Sequence, residues 1–323
     1  MRTLRIFLCL PALALWLTSA AQRQVEDANA DWLFSYKEAT AKPVKGIPPQ
    51  AQVGYDDAGW KSVSVPHTWQ TYETTGELHP FIASPHAKDN PYWWDGKGFY
   101  RKHFTLRPEM RGRKLFIEFD GVMKNCLAYL NGKLIGEHLG GYGCFYFELT
   151  DYVDYDGGNL FVLEVSNQQT DPQRVPPMDA GCWNFYGGIY RNVRLVATDD
   201  VFIPFQGSYK HEGGTHVTTE NLSDSVSRVR VRTWVRNERA ERQAVELTTA
   251  IVGADGRVVA LASTPQNIRP QETALYDEEF EIVGPKRWSP ASPDLYKVVS
   301  TVTAGGRTCD RYETVFGIRT FVW

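Results

Sequence analysis

For most of its length the chain alternates between apolar and polar positions. Over 114–120, Leu115, Ile117 and Phe119 take one side while Phe116, Glu118 and Asp120 take the other; over 126–130, Cys126, Ala128 and Leu130 share a face. A period of two places successive side chains on opposite faces of an extended backbone, so each segment predicts a strand with one side in a core. The second runs into Asn131-Gly132 and then 133–136. Asn-Gly between two such runs predicts a tight hairpin, because both central residues of that turn need positive φ. Further strands are expected at 159–166, with Phe161, Leu163 and Val165 inward, and at 190–197.

A second series begins after Asp199-Asp200. Val229, Val231, Thr233 and Val235 face one way, and Arg228, Arg230, Arg232, Trp234 and Arg236 the other, which reads as a solvated sheet face rather than a docking surface. Asp255-Gly256 and Gly305-Gly306 mark later turns. No stretch beyond the N-terminal leader shows a 3.6-residue apolar stripe. The expectation is therefore all-β: a jelly-roll β-sandwich over 28–199, then an immunoglobulin-like β-sandwich over 200–320.

The first residues change the picture of where the chain works. Arg2 and Arg5 precede an apolar run over 6–17 broken by Pro11, and Ser19, Ala20 and Ala21 follow. That order predicts a signal peptide over 1–21 and a periplasmic or extracellular destination. Cys9 lies inside the apolar run, too early to become a lipid-bearing N-terminus, and no later stretch has the ~20 apolar residues of a membrane span. Removing Arg2 and Arg5 with the leader takes the formal net charge from -3 to -5. Without Lys/Arg clusters such a chain has no footprint for a phosphate backbone, so nucleic acid is excluded as a partner. Cys126, Cys144, Cys182 and Cys309 are too few to form a disulfide scaffold. Buried thiols are expected, with a single disulfide as the alternative.

Two stretches lack strand character, 68–98 and 167–188, and both are rich in Pro, Gly, Asp and aromatic residues. Loops that long in a compact domain usually carry function. They hold Trp69, Tyr72, Asn90, Tyr92, Trp93, Trp94, Asp179, Trp183 and Tyr186. Sugar rings present apolar C–H faces and equatorial hydroxyls, which flat aromatic rings beside Asn or Asp groups suit. The competing reading is that these rings pack the loops onto the sandwich.

Other motifs fail on spacing. His211-Glu212-Gly213-Gly214-Thr215-His216 has one residue too many for H-E-x-x-H and two glycines where a helix must hold both imidazoles, so it reads as a loop. Asp151, Asp154 and Asp156 before Gly157 hint at a calcium loop, but Tyr152 stands where a ligand would be needed. Glu238 after Asn237 ends an alternating strand and reads as a hairpin tip. No G-x-S-x-G elbow occurs, and neither a metal nor a cofactor is implied.

Several segments in order resemble glycoside hydrolase family 2, the group with β-galactosidases, β-glucuronidases and β-mannosidases. They are Val65-Pro66-His67-Thr68-Trp69, Gly98-Phe99-Tyr100-Arg101-Lys102-His103-Phe104, and Phe119-Asp120-Gly121-Val122 through Tyr129-Leu130-Asn131-Gly132. Gly140-Gly141-Tyr142 and 183–193, Trp183-Asn184-Phe185-Tyr186-Gly187-Gly188-Ile189-Tyr190-Arg191-Asn192-Val193, come next. Trp288-Ser289-Pro290, Pro293-Asp294-Leu295-Tyr296 and Phe316-Gly317-Ile318-Arg319 complete the series.

The resemblance implies a sugar-binding jelly roll like galactose-binding domains, an immunoglobulin-like domain, and a following (β/α)₈ barrel bearing two catalytic glutamates. The barrel's active site sits at the ends of its own strands, and retaining hydrolysis needs two carboxyl groups ~5 to 5.5 Å apart. The expectation is thus the non-catalytic front portion of a retaining exo-acting β-glycosidase, inactive alone, with a β-linked carbohydrate as its partner. Asn90, Trp93, Trp94, Asp179, Trp183 and Tyr186 are the candidate substrate-binding residues. The alternative is a stand-alone carbohydrate-binding or docking protein of two sandwiches.

Overall fold

A computed structural model describes residues 22–35, 46–69, 96–167, 187–206 and 212–319. Among them the only helical segments are single 3₁₀ turns at Pro49–Ala51 and Pro108–Met110. The rest of the regular structure is antiparallel strand, as the period of two requires.

The first sandwich uses β1 (Gln24–Asp27), β2 (Trp32–Ser35), β3 (Lys61–Val63), β4 (Lys97–Phe104), β5 (Lys114–Phe119), β6 (Asn125–Leu130), β7 (Lys133–Leu139), β8 (Phe145–Glu148), β9 (Asn159–Ser166) and β10 (Val193–Thr198). One sheet has the order β1-β10-β5-β8 and the other β3-β2-β4-β9-β6-β7. Leu115, Ile117 and Phe119 meet Cys126, Ala128, Leu130, Phe161, Leu163 and Val165 in one core, the inward sets that alternation named. Each such large apolar side chain contributes about 1.5–3 kcal/mol when fully buried. Asn131 and Gly132 both take positive φ, 51° and 77°, and turn β6 into β7. The strand expected over 190–197 starts later, at Val193, because Gly188 to Asn192 are spent tying the chain to neighbouring loops.

Phe116 is buried although it faces away from that core. It packs on Phe202 and Phe205, with Val196 and Tyr146 beside them, so the outer face of this sheet is covered by the segment after β10. The outer face of the other sheet is covered by residues 48–60. Arg101, fully buried, is the clamp: its Nε donates to Asp57 at 2.7 Å, Nη1 to the carbonyls of Gln50 and Gln52, and the guanidinium lies over Tyr55 and Trp60.

The second sandwich is built from β11 (Val201–Phe202), β12 (Thr215–Asn221), β13 (Val226–Asn237), β14 (Gln243–Val252), β15 (Val258–Ile268), β16 (Glu272–Val283), β17 (Tyr296–Ala304) and β18 (Arg307–Phe316). In one sheet β12 and β11 pair with successive stretches of β13 while β16 runs along its length; the other has the order β15-β14-β17-β18. The arginine stripe on β13 is charge-balanced by its neighbours: Arg230 pairs with Asp277 on β16 and Arg228 with Glu220 on β12. Along Arg228 and Arg230 it is a solvent-side ladder whose acidic half lies on other strands. Trp234 and Arg236, expected on the same solvated face, are buried, the indole donating to Glu212 and the guanidinium to Glu238, Gln271 and Thr273.

The two sandwiches meet along a seam. Arg23 Nε donates to Asp310 Oδ1 at 3.0 Å and Nη2 to Oδ2 at 2.8 Å and to the Ile203 carbonyl, between the rings of Phe205 and Tyr312. Asp199 accepts from Arg239 at 2.7 Å and Arg307 at 2.9 Å. Lys114 bridges Glu148 and Glu238, each at 2.5 Å.

Candidate functional site

The ends of the two long loops are stitched together in pairs. Trp69 N donates to the Gly187 carbonyl at 3.2 Å and His67 N to that of Ile189 at 2.7 Å, so the start of one loop is tied to the end of the other. Gly96 N donates to Asn167 Oδ1 at 2.8 Å, and Asn167 N donates back to the Gly96 carbonyl at 3.1 Å. The four roots, Trp69, Gly96, Asn167 and Gly187, therefore lie at one end of the sandwich. Asn90, Trp93, Trp94, Asp179, Trp183 and Tyr186, together with Tyr72 and Tyr92, lie outside the described residues.

Trp69 is described, and it is core. Its ring is fully buried and stacks on Phe34 with centroids 5.8 Å apart and planes 11° from parallel. A Cβ at Gly187 would overlap that ring, which is the reason for glycine there. For this residue the packing reading holds and a sugar-facing one does not.

A third segment joins this end. Met123 and Gly188 exchange backbone hydrogen bonds of 3.0 and 3.1 Å, Lys124 N donates to Ser166, and Gly140 N donates to the Lys124 carbonyl at 3.0 Å. Tyr190 Oη then donates to the Gly141 carbonyl at 2.5 Å. This holds the 140–143 turn beside the loop roots and displays Tyr142, which is 72% exposed. In the sequence the only signal was glycines flanking an aromatic residue.

Beneath the roots, His67 Nδ1 lies 2.7 Å from Tyr100 Oη. Burial, with a smaller push from Lys61, lowers the His67 pKa from 6.5 to about 4, and burial drives the Tyr100 phenol well upward. Both are neutral at pH 7, so the phenol donates and the imidazole accepts. Because the folded pKa is depressed, this pair's contribution is complete above pH 6.5 and is lost as pH falls from 6.5 toward 4. Lowering the pH across that window should cost about 2 kcal/mol of stability, allowing for His67's partial exposure. Urea titrations at pH 7 and pH 4.5 should show the drop, and a His67→Gln variant should flatten it; an unchanged slope in the variant would assign the pH dependence elsewhere.

The motifs set aside in the sequence have structural roles. Glu238 follows β13 and receives Lys114 at 2.5 Å and Arg236 at 2.6 Å. Burial opposes ionisation, but these hydrogen bonds prevail and hold its carboxyl below the usual value. With a cation on each oxygen it has no proton to give. Asp154 Oδ1 accepts from the backbone of Asp156 at 2.9 Å and Gly157 at 3.0 Å, capping its own turn. Glu212 accepts from Trp234 Nε1 at 2.7 Å, and His216 stands on β12 rather than in a loop. Cys126 and Cys309 are buried free thiols, whereas Cys144 is a half-exposed free thiol, contrary to the expectation of burial; Cys182 is outside the described residues.

Residues 25–199 match the family model described as glycosyl hydrolases family 2, sugar binding domain, and residues 214–319 match that described as glycosyl hydrolases family 2. A β-glucuronidase of Formosa agariphila is 33% identical over 94% of this chain and 30% of its own length. A β-galactosidase of Bacteroides ovatus is 29% identical over 93% of this chain and 32% of its own. Among solved structures, a family 2 β-glucuronidase superposes with a TM-score of 0.77 at 30% identity, over 94% of this chain and 31% of that one. The Bacteroides uniformis β-glucuronidase gives 0.76 at 26% identity. The chain spans about a third of the length of the curated relatives it matches. With both family models in sequence order over nearly all of the described chain, the protein belongs to glycosyl hydrolase family 2.

Proposed function

We propose that this chain is the non-catalytic, sugar-facing portion of an exported, retaining, exo-acting β-glycosidase. In this reading residues 1–21 are a leader, 28–199 the sugar-binding jelly roll and 200–320 an immunoglobulin-like spacer. A barrel elsewhere in the complete polypeptide carries the two glutamates that cut a β-glycosidic bond. Loops 68–98 and 167–188 shape the rim of its pocket, with Asn90, Trp93, Trp94, Asp179, Trp183 and Tyr186 as the contacts. The observation that carries the proposal is the pairwise tying of both loop roots at one end of a domain that matches a sugar-binding family model.

The test is made in the complete enzyme. Trp94→Ala and Trp183→Ala should each raise KM for a nitrophenyl β-glycoside about fivefold while leaving the melting temperature unchanged, as loss of one aromatic contact worth about 1 kcal/mol requires. Variants that lose several degrees of stability but keep KM would place these rings in loop cores instead. The isolated chain should release no nitrophenol from a panel of such glycosides. Turnover that disappears on changing one of its glutamates would overturn the assignment of chemistry to a separate barrel.

A further inference from the structure

The inward faces of the second sandwich are interrupted within a band two residues deep. On β13 they read Val229, Val231, Thr233, Val235; on β16 Tyr276, Glu278, Phe280, Ile282; on β14 Val245, Leu247, Thr249, Ile251; on β17 Val298, Ser300, Val302. One polar residue breaks each apolar run, and Thr249 pairs directly with Ser300 across the sheet. The core accordingly falls into two separate clusters. Val235, Leu247, Tyr276 and Val302 gather with Val201, near the seam, and Val231, Ile251, Phe280 and Val298 gather on the far side.

Two of the polar groups are satisfied within the protein. Thr233 shares a 3.1 Å hydrogen bond with Thr215, and Thr264 on β15 donates to Glu278 Oε1 at 2.6 Å. Thr249 Oγ1, Ser300 Oγ, Thr314 Oγ1 and Glu278 Oε2 are sealed from solvent with no hydrogen-bond partner in the protein, and Thr249 and Ser300 are fully buried. A dry belt would leave each with its full desolvation penalty.

We propose that this belt is an internal hydration site, in which ordered water lies between the two sheets and bridges the Thr249, Ser300 and Thr314 hydroxyls to the Glu278 carboxylate. The donor and acceptor inventory selects water over a metal ion. Three of the four unmet groups are hydroxyls with a hydrogen to donate; a cation would take their lone pairs and leave those hydrogens without acceptors, whereas water both donates and accepts. A single carboxylate is also thin provision for a hard cation. The second sandwich then consists of two half-cores coupled through water, of which only the nearer is bonded to the first sandwich.

The intact chain tests this. Heteronuclear NMR should show cross-peaks between the water resonance and protons of Thr249 and Ser300, and their absence overturns the proposal. Thr249→Val keeps the volume and removes the hydroxyl. A hydrated belt predicts a melting temperature lower by about 4 °C, as loss of a typical hydrogen bond does in a domain of this size, while a rise shows that the hydroxyl was dry and overturns it. Exchanging choline chloride for sodium chloride at equal ionic strength should leave the melting temperature unchanged, and a rise of several degrees in sodium assigns the belt to a cation. Should the variant fail to fold, the NMR and salt measurements on the unmodified chain decide.

Discussion

Replacing Asp310 by alanine should destabilise the chain by about 3–5 kcal/mol, read as a loss in urea-unfolding free energy. The side chains of Arg23 and Asp310 are 6% and 0% exposed, so the pair has been taken out of water, and removing one member leaves the other as an uncompensated buried charge. The two members are not equivalent. Asp310 also accepts hydrogen bonds from the backbone N–H of Ile203 at 2.8 Å and of Arg311 at 2.9 Å, so it keeps partners when Arg23 is lost. Arg23 without Asp310 keeps one carbonyl and two aromatic faces. Asp310→Ala should therefore cost more than Arg23→Ala, and the double variant should cost less than the sum of the singles. A loss below about 1 kcal/mol for Asp310→Ala would mean that water reaches the pair and screens it.

Arg101→Ala should be of similar size, about 3 kcal/mol or more, and should also release a specific segment. The guanidinium satisfies Asp57 and the carbonyls of Gln50, Gln52 and Tyr55 at once. Without it each of those carbonyls loses a charged donor, and residues 48–60 lose this clamp to the sheet. Proteolytic nicking within 48–60 should appear in the variant before global unfolding. Arg101→Lys should not rescue it, because one ammonium on a flexible stem cannot replace a planar fork with several fixed donors. Full stability in Arg101→Lys would show that the site needs only a positive charge. His103 also reaches Asp57, at 2.8 Å, but from an exposed position that allows no comparable loss.

What the sequence reveals depends on how local the cause is. The 114–120 and 126–130 alternations, the Asn131-Gly132 turn and the inward set Phe161, Leu163, Val165 are decided by neighbours two residues away, and the structure has them where the pattern placed them. Phe116 sits at an outward position of an alternating strand and reads as solvent-facing; it is buried because another part of the chain covers that face. The arginines of β13 read as a basic stripe because Asp277 and Glu220 belong to other strands. Trp69 looked like its neighbours in an aromatic-rich loop, yet it is fully buried in the core. The convergence of the loop roots is a contact between residues 122 positions apart in sequence, from His67 to Ile189, and no spacing rule reaches that far.

The clasped roots separate inheritance of the scaffold from inheritance of what it presents. Among the described residues the clasp is made by backbone groups and the side chain of Asn167, so its hydrogen bonds ask little of the sequence at the roots beyond that asparagine. Fixed roots are in general a weak constraint on length, since doubling a flexible loop costs only about 0.6 kcal/mol in closure entropy. The clasp fixes where the two intervals begin and end, and the proposed sugar contacts can differ between those points without changing the hydrogen bonds of the clasp itself.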